Sequence, residues 1–236
     1  MNQQQQLPKI GFIGLGAMGA PMARNVAAGG YALTVLDADA GTTRKVAADI
    51  GATPAASAAE VGARSDIVVT MLPTSRIVET VLFGADGLAA SLKPGSIVVE
   101  MSSGAPSRTR EIAERLAALD IALVDAPVSG GVPRAKTGDL AIMLGGEAAT
   151  LETIRPLVAR MGSTLTVVGG VGAAHAMKAL NNLVSAGGFL IGIEALLIGS
   201  RFGLSPETMV DVLNASTGMN NSTQKKFKQF VLSRRF

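Results

Sequence analysis

The stretch that decides the fold lies near the start of the chain and reads Lys9-Ile-Gly-Phe-Ile-Gly-Leu-Gly-Ala-Met-Gly19. Its first five residues are mostly apolar and predict a buried β-strand, and residues 17–28 predict a helix. Between them, Gly14, Gly16 and Gly19 form a G-x-G-x-x-G pattern. The pattern is weak alone, but directly after a strand and at the start of a helix it predicts a dinucleotide-binding turn.

The three glycines have different roles in such a turn. Gly14 permits the tight turn, Gly16 lets the backbone approach the pyrophosphate, and Gly19 allows the helix to pack closely on the strand. The start of the helix then offers free N–H groups and the positive end of its dipole to the phosphates. We therefore predict that the loop residues Leu15, Ala17 and Met18 contact the cofactor together with Gly14 and Gly16.

An acidic residue follows the second predicted strand, residues 31–36, at Asp37. A carboxylate at this place can accept hydrogen bonds from the ribose hydroxyls of the adenosine half. It would also repel a 2′-phosphate, and Asp39 adds to that repulsion. The sequence therefore favours NAD over NADP as the cofactor.

Strand and helix patterns alternate as far as residue 168, which predicts a doubly wound α/β domain over residues 1–170. Near-continuous apolar strands indicate a parallel sheet that is covered on both faces. The predicted strands after the first two are residues 67–72, 97–100, 122–125, 140–144 and 165–168, and the predicted helices are residues 44–50 and 107–119. The pattern then becomes helical, with a long helix over residues 173–201 and another after Ser205-Pro206. Residues 171–236 are therefore predicted to form an all-helical second domain.

Composition excludes several kinds of site. The chain has 236 residues with no cysteine and one histidine, so a thiolate site or a histidine-cluster metal site cannot form within it. The net charge of +3 comes from a basic run near the end, which is more typical of a solvated helix face than of a nucleic-acid site. No apolar run is expected to span a membrane, because residues 180–198 contain Asn181, Asn182 and Glu194. We expect a soluble cytoplasmic protein without nucleic-acid or membrane partners.

The candidate catalytic residues lie on the long predicted helix. Lys178 and Asn182 are four residues apart and share one helical face. Periodicity alone favours a lysine whose ammonium simply reaches the surface. His175 could face the same cleft as a base, but no acid adjoins it in sequence, so a structural role is favoured.

Three motifs stand in order along the chain and together carry a family resemblance. They are the segment that begins at Gly11 and ends at Asn25, the segment Asp125-Ala-Pro-Val-Ser-Gly-Gly131, and the segment Gly170-Val-Gly-Ala-Ala-His-Ala-Met-Lys-Ala-Leu-Asn-Asn182. In these motifs the chain resembles the β-hydroxyacid dehydrogenases, a family that includes 3-hydroxyisobutyrate dehydrogenase and tartronate semialdehyde reductase. The resemblance extends over nearly the whole chain.

The resemblance implies roles for particular residues in hydride transfer between a nicotinamide cofactor and a short hydroxy acid. It implies that Lys178 is the general acid and base and that Asn182 binds substrate and orients Lys178. Ser129, Gly130 and Gly131 would bind the substrate carboxylate. Met71, Leu72 and Pro73 would line the cofactor, and Ser103 would lie near the nicotinamide ribose.

The chain also departs from the family pattern. Arg134 replaces a frequent glycine and Asp139 a frequent serine or threonine, so Arg134 could contact a larger substrate, face solvent or pair with Asp139. Relatives continue through several more helices beyond Phe236, so we expect the helical domain to be incomplete here. Two other functions remain open: a dinucleotide-binding module without catalysis, and an imine-reducing relative, a kind that usually lacks the lysine. The apolar helix over residues 173–201 further predicts a homo-oligomer, a dimer or a tetramer.

Overall fold

The computed structural model describes residues 7–235 and contains an α/β unit followed by helices. The strands are β1 (Ile10–Ile13), β2 (Leu33–Leu36), β3 (Thr53–Pro54), β4 (Ile67–Thr70), β5 (Ile97–Glu100), β6 (Ala122–Asp125), β7 (Val128–Ser129), β8 (Ala141–Gly145) and β9 (Thr164–Gly169). The helices are α1 (Gly19–Ala28), α2 (Ala40–Ile50), α3 (Ala58–Ala63), α4 (Ser75–Phe83), α5 (Pro106–Ala117), α6 (Gly131–Thr137), α7 (Ala148–Val158), α8 (Ala173–Arg201) and α9 (Pro206–Asn214), followed by a π-helix over Thr223–Leu232.

The sheet has the strand order of a doubly wound dinucleotide-binding fold. The order is β3-β2-β1-β4-β5-β6-β8-β7, with β9 beside β8. The pairs among β1 to β6 are all parallel, and β1 lies where the order of the strands reverses. The predicted Rossmann-type fold is therefore confirmed for this part of the chain.

One part of the predicted sheet topology is wrong. Strand β8 runs antiparallel to β6 and β7, and β9 is parallel to β8. A parallel return to β6 would need a crossover along the face of the sheet. The intervening helix α6 has seven residues and is about 10 Å long, so it cannot carry the chain back across the sheet.

The sheet is covered on both faces, as the apolar strands predict. In β1, Ile10 and Phe12 join the core cluster that also contains residues of α1 and α7, while Ile13 joins the opposite cluster with residues of α4 and α5. Successive side chains of a strand point to opposite faces of the sheet. A strand whose successive residues are all apolar must therefore be covered on both faces. Each of the strands β1, β4 and β5 has four residues, and all of them are buried.

Residues 7–235 divide into two compact units, and the division falls between Lys178 and Ala179, within α8. The predicted boundary at residue 170 stays a prediction. In the second unit, Leu196, Val210 and Phe227 form a small buried cluster of their own. The rings of Phe189 and Phe227 pack edge to face, with their centroids 5.6 Å apart.

The prediction that no apolar run is long enough to span a membrane is wrong for helix α8. Its 29 residues have a mean hydropathy of 1.8 in the most apolar window, and 17% of that window is buried. By length and composition, this helix among the described residues could cross a membrane, because Asn181, Asn182 and Glu194 are too few to offset the surrounding leucine, isoleucine and alanine. Length and composition are weak indications, since core helices of globular proteins meet the same test.

Candidate dinucleotide and hydroxy-acid site

The candidate site follows from the register of the parallel strands. The last residues of four strands, Ile13, Thr70, Glu100 and Asp125, are direct partners across the sheet, and Ile13 also pairs with Leu36. The carboxyl ends of five strands therefore meet at one edge. Ligands of open α/β sheets bind outside this edge.

The loop from β1 to α1 needs glycine at two of its three positions for steric reasons. Gly14 has a φ of +97°, and a Cβ there would collide with the carbonyl oxygen of Met71. A Cβ on Gly19 would collide with the carbonyl oxygen of Gly14. Gly16 is different, because it is exposed and a Cβ there would meet nothing within 4 Å. The open space over Gly16 fits the close approach of a pyrophosphate to the backbone.

Asp37 holds the loop from the end of β2. Its Oδ2 accepts a hydrogen bond of 2.7 Å from the backbone N–H of Leu15, and its Oδ1 accepts one of 3.0 Å from Asp39. A carboxylate has about four acceptor positions, so two remain for the hydroxyls of a ribose. The side chain of Asp39 instead caps α2 by accepting from the N–H of Gly41 at 2.8 Å.

Two cavities adjoin Asp37. One of about 430 Å³ is lined by Gly14, Asp37 and Leu72 among others. The other, about 390 Å³, is lined by Asp37 and also by Arg44 and Glu60. Sequence reasoning missed Arg44, because it lies on the first turns of α2 and not directly after Asp37.

The other predicted cofactor residues lie at the same edge. Met71 and Leu72 directly follow β4 and are half-buried, while Pro73 is exposed. The backbone N–H of Leu72 donates to Oγ of Ser102 at 2.8 Å, which ties the segment after β4 to the segment after β5. Ser103, the next residue, is exposed. The structure thus brings the predicted cofactor residues of β1, β2, β4 and β5 to one edge.

The predicted carboxylate-binding residues lie where β7 meets α6. Ser129 is the last residue of β7, and Gly130 and Gly131 have φ values of +136° and +68°, a region that disfavours other residues. The stem of Arg134 packs over Gly130, and its Nε lies 3.2 Å from Oδ2 of Asp139. Of the three possibilities left open for Arg134, the structure shows the pairing with Asp139.

Lys178 lies on α8 and is half-buried. Burial disfavours the charged ammonium and lowers the pKa of Lys178 below its ordinary value. No hydrogen bond or ion pair in the described residues joins Lys178 to Ser129 or to the glycine loop. Asn182 follows four residues later on α8 and is exposed.

His175, the only histidine, is buried in a polar cluster that the sequence did not predict. Its Nε2 is 3.0 Å from Oε2 of Glu100, and Asp125 accepts the backbone N–H of His175 at 2.9 Å. The side chain has no exposed surface, which supports the structural role favoured above. In residues 7–235 no three acidic or histidine side chains are grouped as metal ligands.

Comparisons with known proteins agree with this geometry. Residues 9–170 match the family model described as the NAD binding domain of 6-phosphogluconate dehydrogenase. Residues 172–236 match the model described as the NAD-binding domain of NADP-dependent 3-hydroxyisobutyrate dehydrogenase. The second match includes the whole of α8, so this apolar helix belongs to a dehydrogenase domain.

Three relatives illustrate the similarity. The chain is 40% identical to 2-(hydroxymethyl)glutarate dehydrogenase of Eubacterium barkeri, over 95% of this chain and 74% of the relative. It is 40% identical to 2-hydroxy-3-oxopropionate reductase of Escherichia coli, over 84% of this chain and 67% of the relative. The solved 3-hydroxyisobutyrate dehydrogenase of Mycobacterium tuberculosis with L-serine superimposes with a TM-score of 0.86 at 32% identity, over 94% of this chain and 74% of that one.

Fold, loop and family models together define an oxidoreductase with an NAD(P)-binding Rossmann domain. The chain belongs to the β-hydroxyacid dehydrogenase family.

Proposed function

We propose that the chain binds NAD at the carboxyl edge of the sheet and oxidises a short β-hydroxy acid of the 3-hydroxyisobutyrate type, or reduces an aldehyde acid such as 2-hydroxy-3-oxopropionate. The observation that carries the proposal is the environment of Lys178. Its amine is half-buried and has a lowered pKa, and it lies on the helix that follows the Rossmann unit. No feature of the fold requires an amine at this position.

The loop and Asp37 fit the cofactor. The surface over Gly16 leaves room for the pyrophosphate, and the unused acceptor positions of Asp37 suit the ribose hydroxyls. When bound, the nicotinamide supplies the hydride chemistry, and the protein supplies orientation and the proton. In this proposal Met71, Leu72 and Pro73, after β4, line the cofactor. Ser103, after β5, lies near the nicotinamide ribose.

The preference for NAD rests on the balance of charge beside the ribose. Asp37 would repel a 2′-phosphate, whereas Arg44 lines a cavity that includes Asp37 and could attract it. The carboxylate of Asp37 is held by two backbone N–H groups at the end of β2. We propose that this fixed charge outweighs the flexible guanidinium of Arg44, so NAD is the cofactor.

The chain's own residues then divide the work on the substrate. The hydroxyl of Ser129 and the backbone N–H groups of Gly130 and Gly131 bind the carboxylate, because such donors suit an anion. In oxidation, Nζ of Lys178 accepts the proton of the substrate hydroxyl, and in reduction it returns the proton to the carbonyl oxygen. Asn182 orients the substrate oxygen from the next turn of α8.

A substrate panel tests the function. We expect C3–C5 β-hydroxy acids with NAD to give NADH, measured by absorbance, and the same acids with NADP to react more slowly. The corresponding esters should be poor substrates, because they lack the carboxylate that Ser129 and the glycines bind. Dinucleotide binding without turnover of any acid in the panel would instead support the non-catalytic module.

Substitution of Lys178 tests the mechanism. We expect Lys178→Ala to keep its NAD affinity, since the loop and Asp37 bind the cofactor, and to lose roughly a hundredfold or more in kcat. Lys178→Arg should not restore turnover, because the guanidinium stays protonated. The control is Lys93→Ala, an exposed lysine in a turn. An active Lys178→Ala would remove Lys178 from the mechanism, and loss of NAD binding would assign it a structural role.

We also propose a cytoplasmic location and a homo-oligomer in which α8 lies near the subunit interface. The apolar surface of α8 supports the second proposal, because its exposed leucine, isoleucine and valine side chains need a cover. Dividing the chain functionally at residue 170 remains part of this proposal, with the dinucleotide domain before it and the helical substrate domain after it.

A further inference from the structure

The buried polar cluster of His175, Glu100 and Asp125 joins the start of α8 to the ends of two strands. The side chains of His175 and Asp125 have no exposed surface, and that of Glu100 is 5% exposed. Nε2 of His175 lies 3.0 Å from Oε2 of Glu100, and Nδ1 lies 3.9 Å from Oδ2 of Asp125. Buried ionisable groups are costly, so a cluster of three calls for a physical explanation.

The groups around the ring favour a proton on both nitrogens. Nε2 faces only acceptors, the carboxylate of Glu100 and, at 3.0 Å, the carbonyl oxygen of Ser102. Nδ1 lies 2.7 Å from the hydroxyl of Thr109, which itself donates to the carbonyl oxygen of Ala105 at 3.1 Å. When the one hydrogen of the hydroxyl goes to Ala105, Thr109 accepts from Nδ1. Asp125 lies on the same side of the ring, so both nitrogens face groups that can accept, which suits the imidazolium form.

The charges that face the ring agree with this form. Burial disfavours the cation, but the hydrogen bond to Glu100 and the charges of Glu100 and Asp125 outweigh it, and the pKa of His175 is raised. Among the cations of the neighbouring elements, Arg110 of α5 packs its stem on Gly172, and Lys178 lies further along α8. The acidic groups that face the ring are Glu100 and Asp125.

The cluster also fixes the start of α8 on the sheet. Asp125 at the end of β6 accepts the backbone N–H of Gly172 at 2.8 Å and that of His175 at 2.9 Å. The first N–H groups of a helix have no partner within it, so Asp125 supplies what they lack. The ring of His175 then reaches Glu100 at the end of β5. Lys178 lies three residues beyond His175, less than one helical turn away.

We propose that His175 is a buried imidazolium, held by Glu100 and Asp125, that positions the first turns of α8 and thereby Lys178 at the carboxyl edge of the sheet. His175 is thus a positioning residue and not a base that touches substrate. The role in positioning rests on the proposed function of Lys178, whereas the charge of His175 does not.

Nuclear magnetic resonance of ¹⁵N-histidine tests the charge on the unaltered protein. The chain has one histidine, so its two ring nitrogens give the only histidine side-chain signals. We expect both nitrogens to show the shift of a protonated nitrogen at pH 7, where an exposed histidine is largely neutral. A neutral tautomer at pH 7, with one deprotonated nitrogen, would overturn the proposal whatever the enzyme's activity.

Glu100→Gln tests the role in positioning. It removes the partner charge while keeping a similar shape, so we expect the histidine signals to become neutral at pH 7. We expect kcat to fall about tenfold or more, because a displaced catalytic group reacts poorly, with NAD affinity unchanged. Glu114→Gln, at an exposed glutamate of α5, is the control and should change neither.

Two outcomes separate this inference from the proposed function. A neutral His175 in Glu100→Gln with wild-type kcat and an unchanged pH profile would overturn the role in positioning while the function stands. If no hydroxy acid reacts even with the wild-type protein, the proposed function fails, and the role in positioning falls with it. The NMR result then still decides whether His175 is an imidazolium.

Discussion

Single residues at the carboxyl edge have their roles set by what surrounds them. Asp37 and Asp39 are two residues apart, yet one holds the glycine loop while the other caps a helix. Lys178 and His175 lie on the same helix, but burial without an anion lowers the pKa of the lysine, while buried carboxylates raise that of the histidine. Opposed environments of this kind can give two neighbouring ionisable groups different charges at one pH.

The lowered pKa of Lys178 predicts the direction of the pH dependence. Oxidation needs the neutral amine, so kcat should rise with pH and level off above the pKa of Lys178. Reduction needs the ammonium, so its rate should fall over the same range. Initial rates in both directions from pH 6 to pH 10 measure this dependence. The range covers the pH values below the ordinary pKa of a lysine side chain. A profile for oxidation that falls with pH over this range would contradict the assignment.

Cofactor choice is a second prediction at the scale of the residue. Removing the fixed carboxylate in Asp37→Ala should weaken NAD binding and narrow its advantage over NADP, as calorimetric titration would measure. Arg44→Ala is the matched variant, because Arg44 lines a cavity with Asp37. It should leave NAD binding unchanged and weaken NADP further. A wild-type preference for NADP would refute the assignment of NAD.

The elements were predictable where their causes are local. Strands β5 and β6 and helix α8 have the predicted bounds, and Pro206 opens α9 with Ser205 before it. The reversal of β8 was not predictable from apolar runs, because strand direction depends on the length of α6. The acids around His175 were missed for a similar reason, since they come from the ends of β5 and β6, far away in sequence.

A pair of glycines tests the loop element. Gly14→Ala should destabilise the fold by about 1–3 kcal/mol or more, because φ is positive and the Cβ would collide with Met71. Gly16→Ala has open space and should leave the free energy of unfolding within about 0.5 kcal/mol. Gly16→Ala should nevertheless weaken NAD binding, because the added methyl group would occupy the space that the pyrophosphate needs. Denaturant unfolding and NAD titration of both variants measure the contrast, and equal destabilisation would contradict it.

At the scale of the whole molecule, most of the architecture follows from the sequence but the covering of α8 does not. Periodicity cannot tell a helix that is buried from one that is apolar and exposed. In the structure Leu183, Val184, Leu190, Ile191, Leu197 and Ile198 are each at least 62% exposed. Exposed apolar patches of this kind mark interaction surfaces, and symmetric self-association is the commonest way to cover one.

We therefore expect the protein to sediment as a dimer or tetramer across a concentration series. Val184 and Ile191 are seven residues apart and share a face of α8. The double variant Val184→Lys, Ile191→Lys should become a monomer with unchanged helix content by circular dichroism, because two ammonium groups cannot be buried unpaired in an apolar interface. Ala149→Lys, at an exposed position of α7, adds charge elsewhere and should leave the oligomer intact. A wild-type monomer at every concentration would refute self-association through α8.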